Sequence, residues 1–142
     1  MRTQIHVVGA IIVRSTPAGP EVLCAQRGDA MALPGLWEFP GGKLEPEETA
    51  AHALAREIEE ELLCTIDVGA PIETTAHDYD FGTVVLSTYY ATLIDGEPQA
   101  TEHAAVRWVA ASDLAQLEWA PADIPAVEKV MRHLRPLRRG AD

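Results

Sequence analysis

The sequence predicts an α/β domain, a mixed β-sheet with α-helices packed on it. Three observations lead there. Segments rich in Val, Ile and Thr are separated by turn residues in the order strands, helix, strands, helix. The turns between neighbouring strands carry hairpin signals, which makes most pairings antiparallel. A Pro-Gly-Gly turn at 40–42 opens an acidic segment with helical periodicity. The chain has 142 residues, enough for one domain with a real core, taken here as 1–142.

The elements follow in order. Residues 4–13 are rich in Ile and Val and read as a strand. Residues 15–20, with two prolines and a glycine, form a turn. Residues 21–27 make a second strand that pairs with the first and ends at Arg27. A loop over 28–35 leads through Leu36, Trp37, Glu38 and Phe39 into the Gly-Gly turn. Pro46 fits the first turn of a helix, because its missing N–H costs least there. From 47 to 62 nearly every residue is a good helix former. On the helical wheel Ala51, Leu54, Ile58 and Leu62 form the apolar stripe. Residues 65–79 hold β-branched pairs broken at Gly69-Ala70-Pro71, and 83–94 is the clearest strand, closed by Asp95-Gly96. Val106 to Val109 is a short strand, and Ser112 is placed to cap a brief helix through Leu117. Residues 121–134 close the pattern as an amphipathic helix with Ile124, Val127, Val130, Met131 and Leu134 on its apolar face. The tail from Arg135 is basic and expected to fray.

Composition narrows the function. The formal net charge is -11, with 47% hydrophobic and 23% charged residues. A protein that grips polymeric nucleic acid needs a basic surface, so that class is excluded. A nucleotide site on this chain must carry its own cations. Cys24 and Cys64 sit in apolar surroundings without metal-ligand spacing and read as buried thiols of a reducing compartment. No signal pattern and no membrane-length apolar stretch is present, so the expected location is the cytoplasm, with no membrane partner.

The acidic helix carries the chemistry. Glu57, Glu60 and Glu61 fall at i, i+3 and i+4 and crowd one face, where each like-charge pair costs a few tenths of a kcal/mol. A solvated acidic face is one reading of such a run. A divalent cation with oxygen ligands, offsetting the charge, is the other. The Gly-Gly turn at a fixed distance before the run favours the second.

Gly42, five residues, Glu48, seven residues, then Arg56-Glu57-Ile58-Glu59-Glu60-Glu61 resembles the Nudix box of the Nudix hydrolases. The box is long, and its fixed positions make a chance match improbable. One position departs: Leu63 stands where the family pattern has a glycine to end the helix in a left-handed conformation. The resemblance covers nearly the whole chain. It implies the Nudix fold, a mixed sheet between helices in an α/β/α sandwich. It also implies a metal-dependent hydrolase of nucleoside diphosphate derivatives, of MutT type, using Mg²⁺ with Mn²⁺ as a substitute.

Further implications attach to named residues. Glu57, Glu60 and Glu61 match metal-holding positions, and Glu57 also matches a proposed general base. The Gly41 carbonyl matches a metal contact. Arg56 is grouped with the catalytic box, where a bracing salt bridge is its expected part. Glu102 matches a loop glutamate that serves some relatives as a further ligand or base; the alternative is a solvated side chain. His103 beside it is expected at the surface, and His77 on a strand face. Arg27 and Lys43 are the candidates for phosphate oxygens, with solvation the alternative for Lys43. Trp37, Glu38 and Phe39 approach the same turn; an aromatic there stacks on a base or packs the core. Asp123, in a Pro-Ala-Asp-Ile-Pro run similar to the cytidine triphosphate pyrophosphohydrolases, either meets the base or caps the last helix. Ionised, it accepts only, which suits cytosine's amino group or the N7 donor of 8-oxoguanine. The expected activity is that of a nucleoside triphosphate pyrophosphohydrolase on cytidine-type nucleotides, 8-oxo-dGTP or both, acting in nucleotide-pool sanitation. Another nucleoside diphosphate derivative, or nucleotide binding without hydrolysis, is the alternative. The expected assembly is a monomer or homodimer.

Overall fold

The computed structural model describes residues 3–135. Its elements are β1 (Gln4–Thr16), β2 (Gly19–Gln26), β3 (Trp37–Glu38), β4 (Gly41–Lys43), α1 (Ala50–Leu62), β5 (Thr65–Tyr79), β6 (Gly82–Asp95), β7 (Ala105–Ala110) and α2 (Ile124–His133). Two 3₁₀ segments, Ala111–Gln116 and Pro121–Asp123, lie between β7 and α2.

β1 is the spine of a seven-stranded mixed sheet ordered β3-β2-β1-β6-β5. Its first part pairs parallel with β6 from Gln4 to Ile12, and its last four residues form the antiparallel hairpin with β2. β4 lies antiparallel against Val7, Val8 and Gly9. β7 extends the sheet from β2.

Both faces of the sheet are covered, which explains the unbroken apolar run in β1. Successive strand residues point to opposite faces. Val8, Ala10, Ile12 and Leu23 pack with Ala53, Leu54, Ile58 and Leu62 of α1. Ile11, Val22 and Cys24 pack on the other face with Leu114, Trp119, Val127 and Val130. The two helices therefore flank one sheet, as the α/β/α expectation required. Cys24 and Cys64 are free and buried, and burial pushes the Cys24 thiol up to about 12, leaving it unreactive.

Several expected boundaries move. α1 begins at Ala50, not 47, because Thr49 caps it: its Oγ1 accepts from the His52 N–H at 3.1 Å. Glu47 takes a left-handed φ of 66° in the turn before it. Ala51 is exposed, and Ala53 takes its place in the buried stripe. Gly69-Ala70-Pro71 does not end β5; the strand continues through register shifts there. Ser112 lies within the first 3₁₀ segment, whose N-cap is Ala110 with no side-chain cap bond. The last helix is a 3₁₀ turn followed by α2, and Ile124 is 42% exposed, off the apolar face. The tail beyond Arg135 lies outside the described residues.

Candidate active site

The Gly-Gly hinge is set by contact, not by turn type. A Cβ on Gly41 would stand 1.9 Å from the Val8 carbonyl oxygen. A Cβ on Gly42 would stand 2.3 Å from the Glu57 carboxylate. Gly41 thus lets β4 press onto β1, and Gly42 lets Glu57 reach the strand. Helix α1 ends as the Nudix pattern requires despite its leucine: Leu63 adopts φ 59°, ψ 35°, and its N–H bonds the Glu59 carbonyl at 3.2 Å. The glutamates are therefore presented as a glycine-terminated helix would present them.

Arg56 braces the box. Its Nε and Nη2 grip the two oxygens of Glu48 at 2.7 and 2.9 Å. Its Nη1 reaches Glu57 at 3.0 Å and Glu60 at 3.5 Å. The guanidinium holds Glu48 down at about 2. Arg56 thereby offsets part of the charge on Glu57 and Glu60. Glu61 receives no such help: burial first, then the Glu57 carboxylate, raise it to about 7, with Glu102 and Glu38 adding and His103 opposing.

A cleft of about 560 Å³ opens beside this face. It brings together Arg27, Glu38, Phe39, Gly41, Lys43, Glu57, Glu61 and Asp123 of the residues predicted from sequence. Glu57 and Glu61 line it, as do Phe39, Ala122 and Asp123, together with the apolar Met31, Leu33, Phe81 and Leu86.

Other expected residues stand elsewhere. Trp37 is buried in the core, with the Arg107 guanidinium 5.2 Å from its ring, and does not line the cleft. Glu60 keeps 61% of its side chain exposed and lies outside the cleft. Glu102 is exposed on the 97–104 loop, felt by Glu61 only through its charge. His103 is not at the surface: it is 6% exposed, and its Nε2 meets Glu38 Oε2 at 2.9 Å. Its Nδ1 is buried without a hydrogen-bond partner among the described residues. Arg27 pairs with the other Glu38 oxygen at 2.5 Å, and its Nε donates to the Ala32 carbonyl. His77 sits on the β5 face, its ring 4.6 Å from Tyr79.

Asp123 changes the expected chemistry. It is 5% exposed, and its Oδ2 accepts from the Phe39 N–H at 3.0 Å. It makes no side-chain cap bond to α2, although it occupies the cap position. Burial raises it to about 8, with the Phe39 bond and Arg27 opposing and Glu38 adding. At neutral pH it is mostly a carboxylic acid. It then offers a donor as well as an acceptor, not the acceptor-only group expected from sequence.

Tyr79 and Phe81 are the cleft residues that sequence reasoning passed over. Their rings stack 5.2 Å apart at 7°, and the Tyr79 oxygen accepts from the Ala122 N–H at 2.8 Å. The available signal was an aromatic pair bracketing the β5–β6 turn, with Phe81 51% exposed.

The donor chemistry suits a hard divalent cation. The groups are carboxylate oxygens, and burial, then the neighbouring Glu57, disfavours the charged form of Glu61 unless a cation offsets it. Among the described residues no three His, Cys, Asp or Glu side chains are gathered tightly enough to enclose an ion. Oxygen donors such as these are compatible with a hard divalent cation that completes its shell with waters and phosphate oxygens.

A mixed sheet between two helices, with acids cradled at a glycine hinge beside a nucleotide-sized cleft, defines a Nudix-type scaffold. The NUDIX domain family model matches residues 5–130. The chain belongs to the Nudix family and is a hydrolase of that family. It is 42% identical over 124 residues to a Mycobacterium tuberculosis protein named, provisionally, 8-oxo-dGTP diphosphatase 2, covering 87% of this chain and 84% of that one. It is 38% identical over 134 residues to the CTP pyrophosphohydrolase of Escherichia coli K12, covering 93% and 96%. The solution structure of MutT, a Nudix hydrolase of methicillin-resistant Staphylococcus aureus, superposes with TM-score 0.75 at 50% identity, covering 94% and 99%. Among the described residues no helix is long and apolar enough to cross a membrane.

Proposed function

We propose that the protein is a Mg²⁺-dependent nucleoside triphosphate pyrophosphohydrolase that releases a nucleoside monophosphate and pyrophosphate. Its substrates are cytidine-type nucleotides (CTP, dCTP, 5-methyl-dCTP), 8-oxo-dGTP or both, and its role is sanitation of the nucleotide pool. Mn²⁺ substitutes for Mg²⁺, and the working unit is a monomer or homodimer in the cytoplasm. The relatives named for CTP and 8-oxo-dGTP support this substrate class.

One observation supports the reading: Glu57, Glu61, Phe39 and Asp123 all line a single cleft. A cleft lined by acids, cations and an aromatic ring suits a molecule that carries both a phosphate chain and a base. Glu57, Glu61 and the Gly41 carbonyl would hold the metal, and Glu60 and Glu102 are further candidate ligands by resemblance. Bound magnesium would offset the phosphate charge and acidify the attacking water. Lys43 and Arg27 supply cations for phosphate oxygens. Glu57 serves as ligand or base; Glu61, raised to about 7, is a second carboxylate able to take a proton from water near neutrality. Phe39 and the acid form of Asp123 meet the base edge.

A nucleotide panel with Mg²⁺, Mn²⁺ or EDTA, scoring both products, tests the assignment. Metal-dependent pyrophosphate release from the cytidine or 8-oxo substrates is expected. Release of orthophosphate alone, or no turnover with either metal, would refute it. Glu57→Gln and Glu61→Gln should each remove most turnover without lowering the unfolding midpoint. Rates like the unaltered protein's in both variants would move the active site elsewhere.

A further inference from the structure

The buried histidine on the 97–104 loop is not explained by packing alone. An apolar residue would fill the same space without leaving a ring nitrogen unpaired, and buried polar atoms are normally satisfied. What His103 does make is one hydrogen bond, from Nε2 to Glu38 Oε2 at 2.9 Å. An ionised carboxylate accepts only, so the proton of that bond resides on Nε2.

Glu38 is a bridge. Oε2 faces His103, and Oε1 faces Arg27 Nη1 at 2.5 Å. Arg27 Nε donates to the Ala32 carbonyl. Its Nη2 is then the terminal donor that no described residue engages, and Arg27 lines the cleft. A carboxylate beside a phosphate site would repel substrate if it were free to turn. Held at both oxygens, it instead orients the guanidinium.

The loop that carries His103 is fixed at both ends. Gln99 N–H bonds the Leu62 carbonyl at 2.9 Å, and Thr101 Oγ1 bonds the Glu61 carbonyl at 2.6 Å. Ala104 N–H bonds the Gln26 carbonyl at 2.9 Å. Gly28, next to Arg27, admits the loop: a Cβ there would stand 2.8 Å from the Glu102 carbonyl oxygen. The ring is therefore anchored to the end of α1 and to the end of β2, the two elements that present Glu61 and Arg27.

We propose that His103 is a positioning residue for substrate binding: through Nε2 it locks Glu38, and Glu38 aims Arg27 into the cleft at the phosphate chain. This rests on the nucleotide hydrolase reading above. It assigns His103 no contact with substrate and no proton transfer.

The test compares steady-state constants and unfolding midpoints for the unaltered protein, His103→Leu, His103→Gln, His103→Asn and Arg27→Gln. A glutamine amide reaches the Nε2 position; an asparagine amide reaches only the Nδ1 position. His103→Leu and His103→Asn should raise KM about tenfold, the scale of a hydrogen bond to a charged group, with kcat changed less than about twofold. His103→Gln should recover most of the loss. In the Arg27→Gln background His103→Leu should add nothing to KM, because the group it positions is gone. If His103→Leu does not fold, the Gln and Asn pair decides. An unmoved KM in His103→Asn, equal KM for Gln and Asn, or a full effect in the Arg27→Gln background would overturn the inference. Turnover by the unaltered protein with any of these results overturns the inference alone. No turnover on any nucleotide overturns it together with the functional reading.

Discussion

Replacing Asp123 by asparagine should stabilise the protein, by an amount that grows with pH. The carboxyl is 5% exposed, and burial raises it from 3.8 to about 8. Below pH 3.8 the folded and unfolded chains both hold the proton, and the group costs nothing. Between 3.8 and about 8 the unfolded chain releases the proton while the folded chain keeps it. The folded state then binds more protons, so stability falls as pH rises. At pH 7 the gap is about three pH units; at about 1.4 kcal/mol each, the folded state is about 4 kcal/mol less stable than it would be with a neutral side chain. Asparagine keeps the acceptor for the Phe39 N–H and cannot ionise. Urea unfolding of both proteins from pH 4 to pH 9 gives the difference directly, and every other titrating group cancels. The difference should climb from pH 4, approach about 4 kcal/mol at pH 7 and level off above pH 8. A difference independent of pH between 4 and 8 would refute the buried-acid assignment. The same pair bears on base choice. Asparagine resembles the protonated acid, so the dCTP to 8-oxo-dGTP activity ratio should differ more between the two proteins above pH 8 than below it. An identical ratio at every pH would remove Asp123 from base recognition.

The remaining predictions concern the hinge, the helix end and the acidic face. Gly41→Ala places a methyl 1.9 Å from backbone, and Gly42→Ala places one 2.3 Å from a movable carboxylate. The first should lower the unfolding midpoint sharply, and the second should cost activity with a smaller loss of stability; the reverse order would show that the hinge is misassigned. Leu63→Gly should stabilise by about 1 kcal/mol, since it relieves a left-handed residue that is 52% exposed, and denaturant unfolding reads it. A loss of stability would mean that the leucine packs usefully at the helix end. Glu61, raised to about 7, must lose its proton to hold a cation. Apparent Mg²⁺ affinity by calorimetry should therefore weaken as pH falls below 7 and stay level in Glu61→Gln; parallel profiles would take Glu61 out of the metal set.

Sequence reasoning reached what local periodicity and spacing encode. The Val, Ile and Leu segments of β1, β2 and β6 and the turns between them are short-range signals. So are the glutamates at i, i+3 and i+4. The strands and the helix form, but the hairpin turn is tighter than 15–20, since β1 runs to Thr16 and β2 starts at Gly19. Glu57 and Glu61 line the cleft without Glu60. What it missed depends on distant contacts. β5 runs through Gly69-Ala70-Pro71 because β6 pairs with it on both sides of the bulge, and nothing within those residues says so. Trp37 and Phe39 are two residues apart on one short segment, yet only Phe39 reaches the cleft, and Trp37 packs under Arg107. Sequence permits either aromatic, and the topology chooses.

His103 and Asp123 show the same limit for chemistry. A histidine between Glu102 and Ala104 reads as a surface residue, and an aspartate before Ile-Pro reads as an ionised base contact or a cap. Each is instead buried by an element remote in sequence, His103 against Glu38 and Asp123 against Phe39. Glu38 and Phe39 are separated by one bond of backbone, between β3 and the Gly-Gly hinge. The segment that leads into the Gly-Gly hinge therefore also receives the two buried titratable groups. A change at 38 or 39 should be felt at Arg27 and at Asp123 together, although neither lies on the acidic helix. On the proposed reading the glutamate run supplies the metal ligands, and Glu38 and Phe39 tie that face of the cleft to Arg27 and Asp123.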